Sequence, residues 1–81
     1  MEKEEILYPR TWHYRIIGNS VDELEIAAFE LLEKAFIKTP GKKSSGGKYC
    51  SINLEIEVES KEERDAIFAT LQRDVRIKFV L

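Results

Sequence analysis

The segment Tyr49–Glu59 reads YCSINLEIEVE, and it decides the fold of this chain. Every second residue from Cys50 to Val58 is apolar, and the residues between them are polar or acidic. This period of two predicts a β-strand that buries one face and leaves the other in solvent. A sheet that is buried on one face needs helices to cover that face.

Two more strands are predicted near the ends of the chain. TWHYRII (Thr11–Ile17) alternates, is rich in aromatic and β-branched residues, and ends at Gly18. Near the C-terminus, Val75–Val80 alternates in the same way, with Val75, Ile77 and Phe79 on its apolar side. We expect Trp12, Tyr14 and Ile16 to face the helices, because the opposite orientation would bury the charge of Arg15.

Two capping boxes predict the starts of two helices. Ser20 is followed three residues later by Glu23, and Ser60 is followed by Glu63. Apolar residues at helical spacing carry the first helix to about Ile37, and Pro40-Gly41 prevents further extension. Residues 39–45 are then the predicted second strand.

The predicted order is β-α-β-β-α-β, an α+β, ferredoxin-like arrangement with two helices on one face of a four-stranded antiparallel sheet. Right-handed crossovers give the strand order 4-1-3-2. Residues 1–81 form one domain, of which residues 1–8 are expected to be a flexible N-terminus.

The open face of this sheet is predicted to be a lattice of solvated charges. Its residues would be His13, Arg15, Ser51, Asn53, Glu55, Glu57, Arg76 and Lys78. Basic strands would lie beside the acidic third strand, so we expect cross-strand Arg–Glu pairs worth about 0.2–1 kcal/mol each.

Composition excludes several classes of protein. One cysteine and one histidine exclude a structural zinc site of the Cys/His type, and no apolar run reaches the roughly 20 residues of a membrane span. The net charge of −2 argues against a dedicated nucleic-acid binder. A single cysteine and the absence of a signal-peptide pattern predict a cytoplasmic protein.

The basic stretch GKKSSGGKY (Gly41–Tyr49) resembles a phosphate-binding loop only superficially. In the register of the P-loop pattern, Gly47 takes the place of the lysine and Lys48 that of the hydroxyl residue. We interpret the stretch as a hairpin turn in which Gly46-Gly47 supply positive φ values. Its charge still marks candidate residues for binding a partner or an anion: Lys42, Lys43, Ser44, Ser45, Lys48 and Tyr49.

No catalytic constellation is evident in the sequence. Glu55 and Glu57 share an open sheet face, which provides no pocket to perturb a pKa. Cys50 falls on the core side of its strand, which predicts a buried, inert thiol, and His13 has no nucleophile beside it. The sequence therefore predicts a protein that is not an enzyme and that needs no cofactor or metal.

The chain also resembles the YbeD-like family of small bacterial proteins. The resemblance rests on Tyr8-Pro9, the strand Trp12–Gly18, the spacing Ser44-Ser45-x-Gly47-x-Tyr49-x-Ser51 and the ending Val80-Leu81. It implies a ferredoxin-like fold similar to the ACT domains that regulate amino-acid metabolism, and no particular activity. Genes of this family sometimes neighbour lipoate-transfer genes, which hints at a metabolic regulatory role.

ACT domains often bind their effector near the turn after the first strand. The resemblance therefore implies Gly18, Asn19 and Ser20 as ligand-binding candidates, while an Asx-turn and a helix cap explain the same residues structurally. Our functional hypothesis is a small regulatory or adaptor module that binds a metabolite or a partner protein, with a homodimer formed through the sheet. The alternative is weak nucleic-acid binding through the lysine-rich hairpin at residues 38–48.

Overall fold

A computed structural model describes residues 7–41 and 47–81 of the chain. The elements follow the predicted order and are β1 (Arg10–Gly18), α1 (Val21–Leu31), β2 (Phe36–Pro40), β3 (Cys50–Val58), α2 (Lys61–Arg73) and β4 (Phe79–Val80). All strand pairs are antiparallel and the sheet order is β2-β3-β1-β4. The predicted ferredoxin-like α+β fold and its strand order are confirmed.

The core lies between the two helices and one face of the sheet. The long strands supply Tyr14, Ile16, Ile52, Leu54, Ile56 and Val58, and the helices supply Leu24, Ala27, Ala28 and Leu71. Tyr14 and Ile16 are buried and Trp12 is half-buried against this core, so the predicted orientation of β1 is correct.

Both predicted helix caps are present. The Ser20 hydroxyl accepts the backbone N–H of Glu23 at 3.3 Å, and the Ser60 hydroxyl accepts that of Glu63 at 3.1 Å. In the second box the Glu63 carboxylate reaches back to the N–H of Glu59, at 2.6 Å. This hydrogen bond, followed by an ion pair to Lys34, lowers the pKa of Glu63.

The predicted end of α1 is wrong by about two turns. The helix ends at Leu31, Leu32 is already extended, and β2 begins at Phe36 rather than at residue 39. Phe36 suits either helical or strand spacing, but it pairs with Ile56 in the sheet and its ring lies 5.4 Å from that of Phe29. Tertiary packing therefore outweighs the continued helical periodicity.

The last strand is shorter than predicted, and within it Phe79 and Val80 have exchanged faces. Residues 75 and 76 form a turn, and the N–H of Ile77 donates to the carbonyl of Asp74 at 3.1 Å, so regular pairing begins only at Phe79. Val75 and Phe79 are consequently exposed, whereas Ile77 and Val80 are buried. Arg76 is also not on the open face, because it bonds to Asp74 and to Glu30 of α1.

Two glycines shape the β2–β3 connection. Gly41 donates to the carbonyl of Ser51 at 3.0 Å, and a Cβ at Gly41 would meet the Ser51 hydroxyl. Gly47 has φ +69°, the left-handed conformation expected for the turn. Residues 42–46, with most of the predicted basic hairpin, and residues 1–6 of the predicted flexible terminus lie outside the described residues.

Candidate functional site on the open sheet face

The open face of the sheet is arranged in cross-strand rows that the register defines. One row joins Thr39, Asn53 and Arg15, and its neighbour joins Ile37, Glu55 and His13. Leu81 extends the first row, because it exchanges backbone hydrogen bonds with Arg15 beyond the end of β4. The centre of the face is therefore polar, and its β4 edge is apolar.

A shallow depression of about 420 Å³ lies over these rows. Its lining residues are His13, Tyr14, Arg15, Thr39, Asn53, Glu55 and Leu81. Arg15 and Glu55 line it from the adjacent strands β1 and β3, at diagonal positions of the two rows.

The charges that line this depression are not paired with one another. The Arg15 Nε donates to the Asn53 Oδ1 at 3.3 Å. Within residues 7–41 and 47–81, no salt bridge joins Arg15 to an acid or Glu55 to a base, so the expected cross-strand Arg–Glu pairs are absent. Register explains this result, because Arg15 lies opposite Asn53 and Glu55 opposite His13.

An aromatic and apolar cluster occupies the end of the face near β4. The rings of Tyr49 and Phe79 meet edge to face, with centroids 6.0 Å apart. Phe79 is 53% exposed and Leu81 is 68% exposed, and half-buried Ile17 pairs with Phe79. The presence of Phe79 here was not predicted from the sequence, because strict alternation through Val75–Val80 assigned it to the core.

The turn candidates suggested by the ACT resemblance have structural roles of their own. Gly18 is buried, and a Cβ there would lie 2.6 Å from the carbonyl oxygen of Arg76 and 2.8 Å from a Leu24 methyl. The Ser20 hydroxyl caps α1, and Asn19 is exposed beside it. The three residues are adjacent, but none of them lines the open-face depression.

Only some of the candidate residues for partner or anion binding lie in the part of the chain that the structure describes. Lys42, Lys43, Ser44 and Ser45 lie outside the described residues. Lys48 is exposed and precedes half-buried Tyr49, so at least one lysine of the stretch lies next to the aromatic pair.

The remaining chemical candidates are not grouped into a reactive site. Cys50 is half-buried rather than buried, and it pairs with Gly18 at the end of β1. The described residues contain no group of three His, Cys, Asp or Glu side chains that could hold a metal ion. Neither helix of this part of the chain has the length and apolar character needed to cross a membrane.

A second cluster lies on the helix side of β1. The guanidinium carbons of Arg10 and Arg64 lie 5.2 Å and 4.6 Å from the centre of the Trp12 ring. Arg64 also donates to the Tyr8 hydroxyl at 3.3 Å. The helix-facing orientation of Trp12 was predicted from the sequence, but its contacts with these two arginines, from the start of β1 and from α2, were not.

Similar proteins carry the same fold. A protein of Helicobacter pylori strain J99, named only as uncharacterized, is 30% identical over 74 residues, covering 90% of this chain and 86% of the relative. The solution structure of HP0495 from H. pylori superposes with a TM-score of 0.82 at 28% identity, covering 99% of this chain and 89% of that one. A second solution structure of HP0495 gives a TM-score of 0.68 at 27% identity, covering 100% and 95%.

The family model described as "Protein of unknown function (DUF493)" matches residues 3–81. That match spans nearly the whole chain and includes all six elements of the fold. The protein therefore belongs to the DUF493 family, the YbeD-like proteins.

Proposed function

We propose that this protein is a non-catalytic regulatory module that binds a small metabolite in the depression of its open sheet face. The observation that supports this function is the pair of opposite charges at Arg15 and Glu55. Both side chains line the same depression, and neither has an ionic partner among the described residues. Diagonal neighbours on paired strands lie about 7–8 Å apart, which leaves space for a small zwitterion between them.

The lining residues indicate the class of ligand. The terminal nitrogens of Arg15 and the amide of Asn53 suit a carboxylate, which Arg binds in a bidentate manner. The Glu55 carboxylate suits an ammonium group, and Leu81 offers an apolar contact beside them. A small molecule that carries both a carboxylate and an amino group, such as an α-amino acid, fits this arrangement.

Thermal unfolding in the presence of candidate ligands tests this function. A panel of amino acids, dicarboxylates and lipoate-related compounds should contain a member that raises the melting temperature. A ligand present at ten times its Kd adds about 1.4 kcal/mol to the free energy of unfolding. A panel in which no member stabilises the protein would contradict the proposal.

Matched variants locate the ligand. Arg15→Gln and Glu55→Gln should each abolish the ligand-induced shift. Glu57→Gln, on the same strand outside the depression, and Arg73→Gln, at the end of α2, should retain it. If Asn19→Ala abolishes the shift and Arg15→Gln does not, the ligand binds at the turn Gly18–Ser20 instead.

One observation keeps nucleic-acid binding as a second candidate function. Phe79 adds a second aromatic ring beside Tyr49, next to exposed Lys48, and proteins that bind single strands combine stacking rings with basic side chains. A salt-dependent gel shift that is lost on Phe79→Ala and on combined Lys42, Lys43 and Lys48→Ala would favour it. No shift at low salt would exclude it.

A further inference from the structure

The edge of β1 that faces β4 is only half covered. β4 pairs with Ile16 and Ile17, and Leu81 extends the pairing to Arg15 through hydrogen bonds of 3.0 Å and 2.8 Å. β1, however, begins at Arg10. In the part of the chain that the structure describes, residues 10–14 therefore have β3 on one side and no strand on the other.

The backbone groups at this edge point away from β3. Successive residues of an antiparallel strand direct their N–H and C=O groups alternately to its two neighbours. The backbone of Arg15 bonds to that of Leu81, and the Ile17 carbonyl accepts the N–H of Lys78 at 2.7 Å. The N–H and C=O groups of the odd-numbered residues of β1 therefore point toward the β4 side. Thr11 and His13 consequently present two donors and two acceptors along an open edge, which is the template for adding another strand.

Space is present along the same edge. A depression of about 230 Å³ is lined by Arg10, Thr11, Trp12 and His13. The larger depression shares His13 with it and reaches Leu81. His13 therefore lies between the two depressions, and the smaller one lies along the uncovered stretch of β1.

The opposite edge of the sheet is protected. The backbone N–H and C=O groups of Thr39 and Gly41 point toward β3, as the Gly41–Ser51 hydrogen bond shows. Those of Lys38 and Pro40 therefore point outward. Proline has no N–H to donate, and lysine is a common protective residue on edge strands. Comparable protection is absent from Thr11 and His13 within the described residues.

The side chains around the open edge are mainly basic. On the helix side of the sheet, Arg10 and Arg64 both lie over the Trp12 ring, and Arg10 has no ionic partner among the described residues. The acid nearest to them in α2, Asp65, is already bound to Lys61 and Arg64. Glu55 and Glu57, which lie on β3 opposite His13 and Thr11, are on the open face instead.

We propose that the open edge of β1 binds an extended, acidic segment of a partner protein as an added antiparallel strand beside Thr11 and His13. Main-chain hydrogen bonds supply affinity and alternate side chains supply selectivity in this mode of recognition. Acidic side chains of the segment lie on the helix side beside Arg10 and Arg64, and apolar ones lie on the open face beside Thr11 and His13. This interaction is separate from metabolite binding, and each has its own readout.

The probe is an end-capped eight-residue peptide in which Glu and Val alternate. Amide NMR should show shifts of the Thr11 and His13 signals and slower hydrogen exchange at both, with no change at Phe36–Pro40. A peptide in which Lys replaces Glu should bind at least tenfold more weakly. Equal binding of the Lys peptide, or shifts confined to Phe36–Pro40, would overturn the proposal.

N-methylation tests the strand geometry directly. Residues paired with Thr11 and His13 have their side chains on the open face and their N–H groups toward β1. Methylating the Val nitrogens of the peptide should therefore abolish binding, whereas methylating the Glu nitrogens should preserve it. Equal tolerance of both would overturn the proposal.

A charge variant separates this edge from the metabolite site. Arg10→Glu should weaken peptide binding at least fivefold and leave any metabolite-induced melting shift unchanged, whereas Arg73→Glu should alter neither. If Arg10→Glu leaves the peptide affinity at the wild-type value, the proposed acidic specificity is wrong.

Discussion

The phenol of Tyr14 donates a hydrogen bond of 2.7 Å to the backbone carbonyl of Arg64. It joins the middle of β1 to the first half of α2, where the contacts of Arg64 with Trp12 and Tyr8 also lie. Arg64 of α2 therefore contacts both aromatic side chains of β1, Trp12 and Tyr14, on the helix side of the sheet.

Removing the Tyr14 hydroxyl should destabilise the protein. Tyr14→Phe is expected to lower the free energy of unfolding by about 1 kcal/mol, since a buried hydrogen bond is lost and packing is kept. Tyr8→Phe is the matched control and should cost less, because Tyr8 is only half-buried. Urea denaturation measures both, and equal costs would contradict a special role for the Tyr14 bond.

Alkaline pH should destabilise the protein through the same residue. Burial raises the pKa of Tyr14 to about 12, against 10.0 ordinarily. The folded state then holds the phenol proton more tightly than the unfolded state does. The contribution of Tyr14 to the free energy of unfolding is therefore complete below pH 10 and is lost as the pH rises from about 10 to 12. Tyrosine absorbance should show one late ionisation, which Tyr14→Phe removes; an unchanged titration would exclude this assignment.

Acid pH should weaken the junction between α2 and β4. Hydrogen bonds from Arg76, at 2.7 and 2.8 Å, lower the pKa of Asp74 to about 2. The pKa of Asp74 in the folded state lies below the ordinary 3.8. The contribution of the Asp74–Arg76 pair to the free energy of unfolding is therefore present above about pH 4 and is lost as the pH falls toward 2.

A variant measures the size of this contribution. Asp74→Asn should cost about 1–2 kcal/mol at pH 7 and flatten the acid limb of the stability curve. Asp65→Asn, which alters a surface pair, should have little effect. An acid limb that is the same in wild type and Asp74→Asn would refute the role of this pair.

Substituting Gly18 should destabilise the fold because its Cβ position is occupied. Gly18→Ala would place a methyl group against the Arg76 carbonyl and Leu24, with an expected cost of about 1–3 kcal/mol. Gly47→Ala has free space and only a positive φ to accommodate, so it should cost about 1 kcal/mol. Thermal melting compares them, and a harmless Gly18→Ala would contradict the packing role of this glycine.

The local sequence pattern was sufficient to predict those elements that depend on a hydrophobic period or on a helix cap. The alternation of β3 and the hydroxyls of Ser20 and Ser60 predicted the strand and both helix starts, because those signals depend on near neighbours in the chain. The strand order also followed from element order and the handedness of crossovers.

Tertiary contacts decided the remaining features. Phe36 joined β2 because Ile56 and Phe29 lie where it packs, and the Asp74–Arg76 turn displaced the register of β4 and exposed Phe79. β4 pairs only with Ile16 and Ile17, so among the described residues no strand covers β1 at Thr11 and His13. The sequence alone therefore determined the order and type of the elements, through local periodicity and capping. Only the folded chain decided which edge and which charges remain open, because those depend on register between residues far apart in sequence.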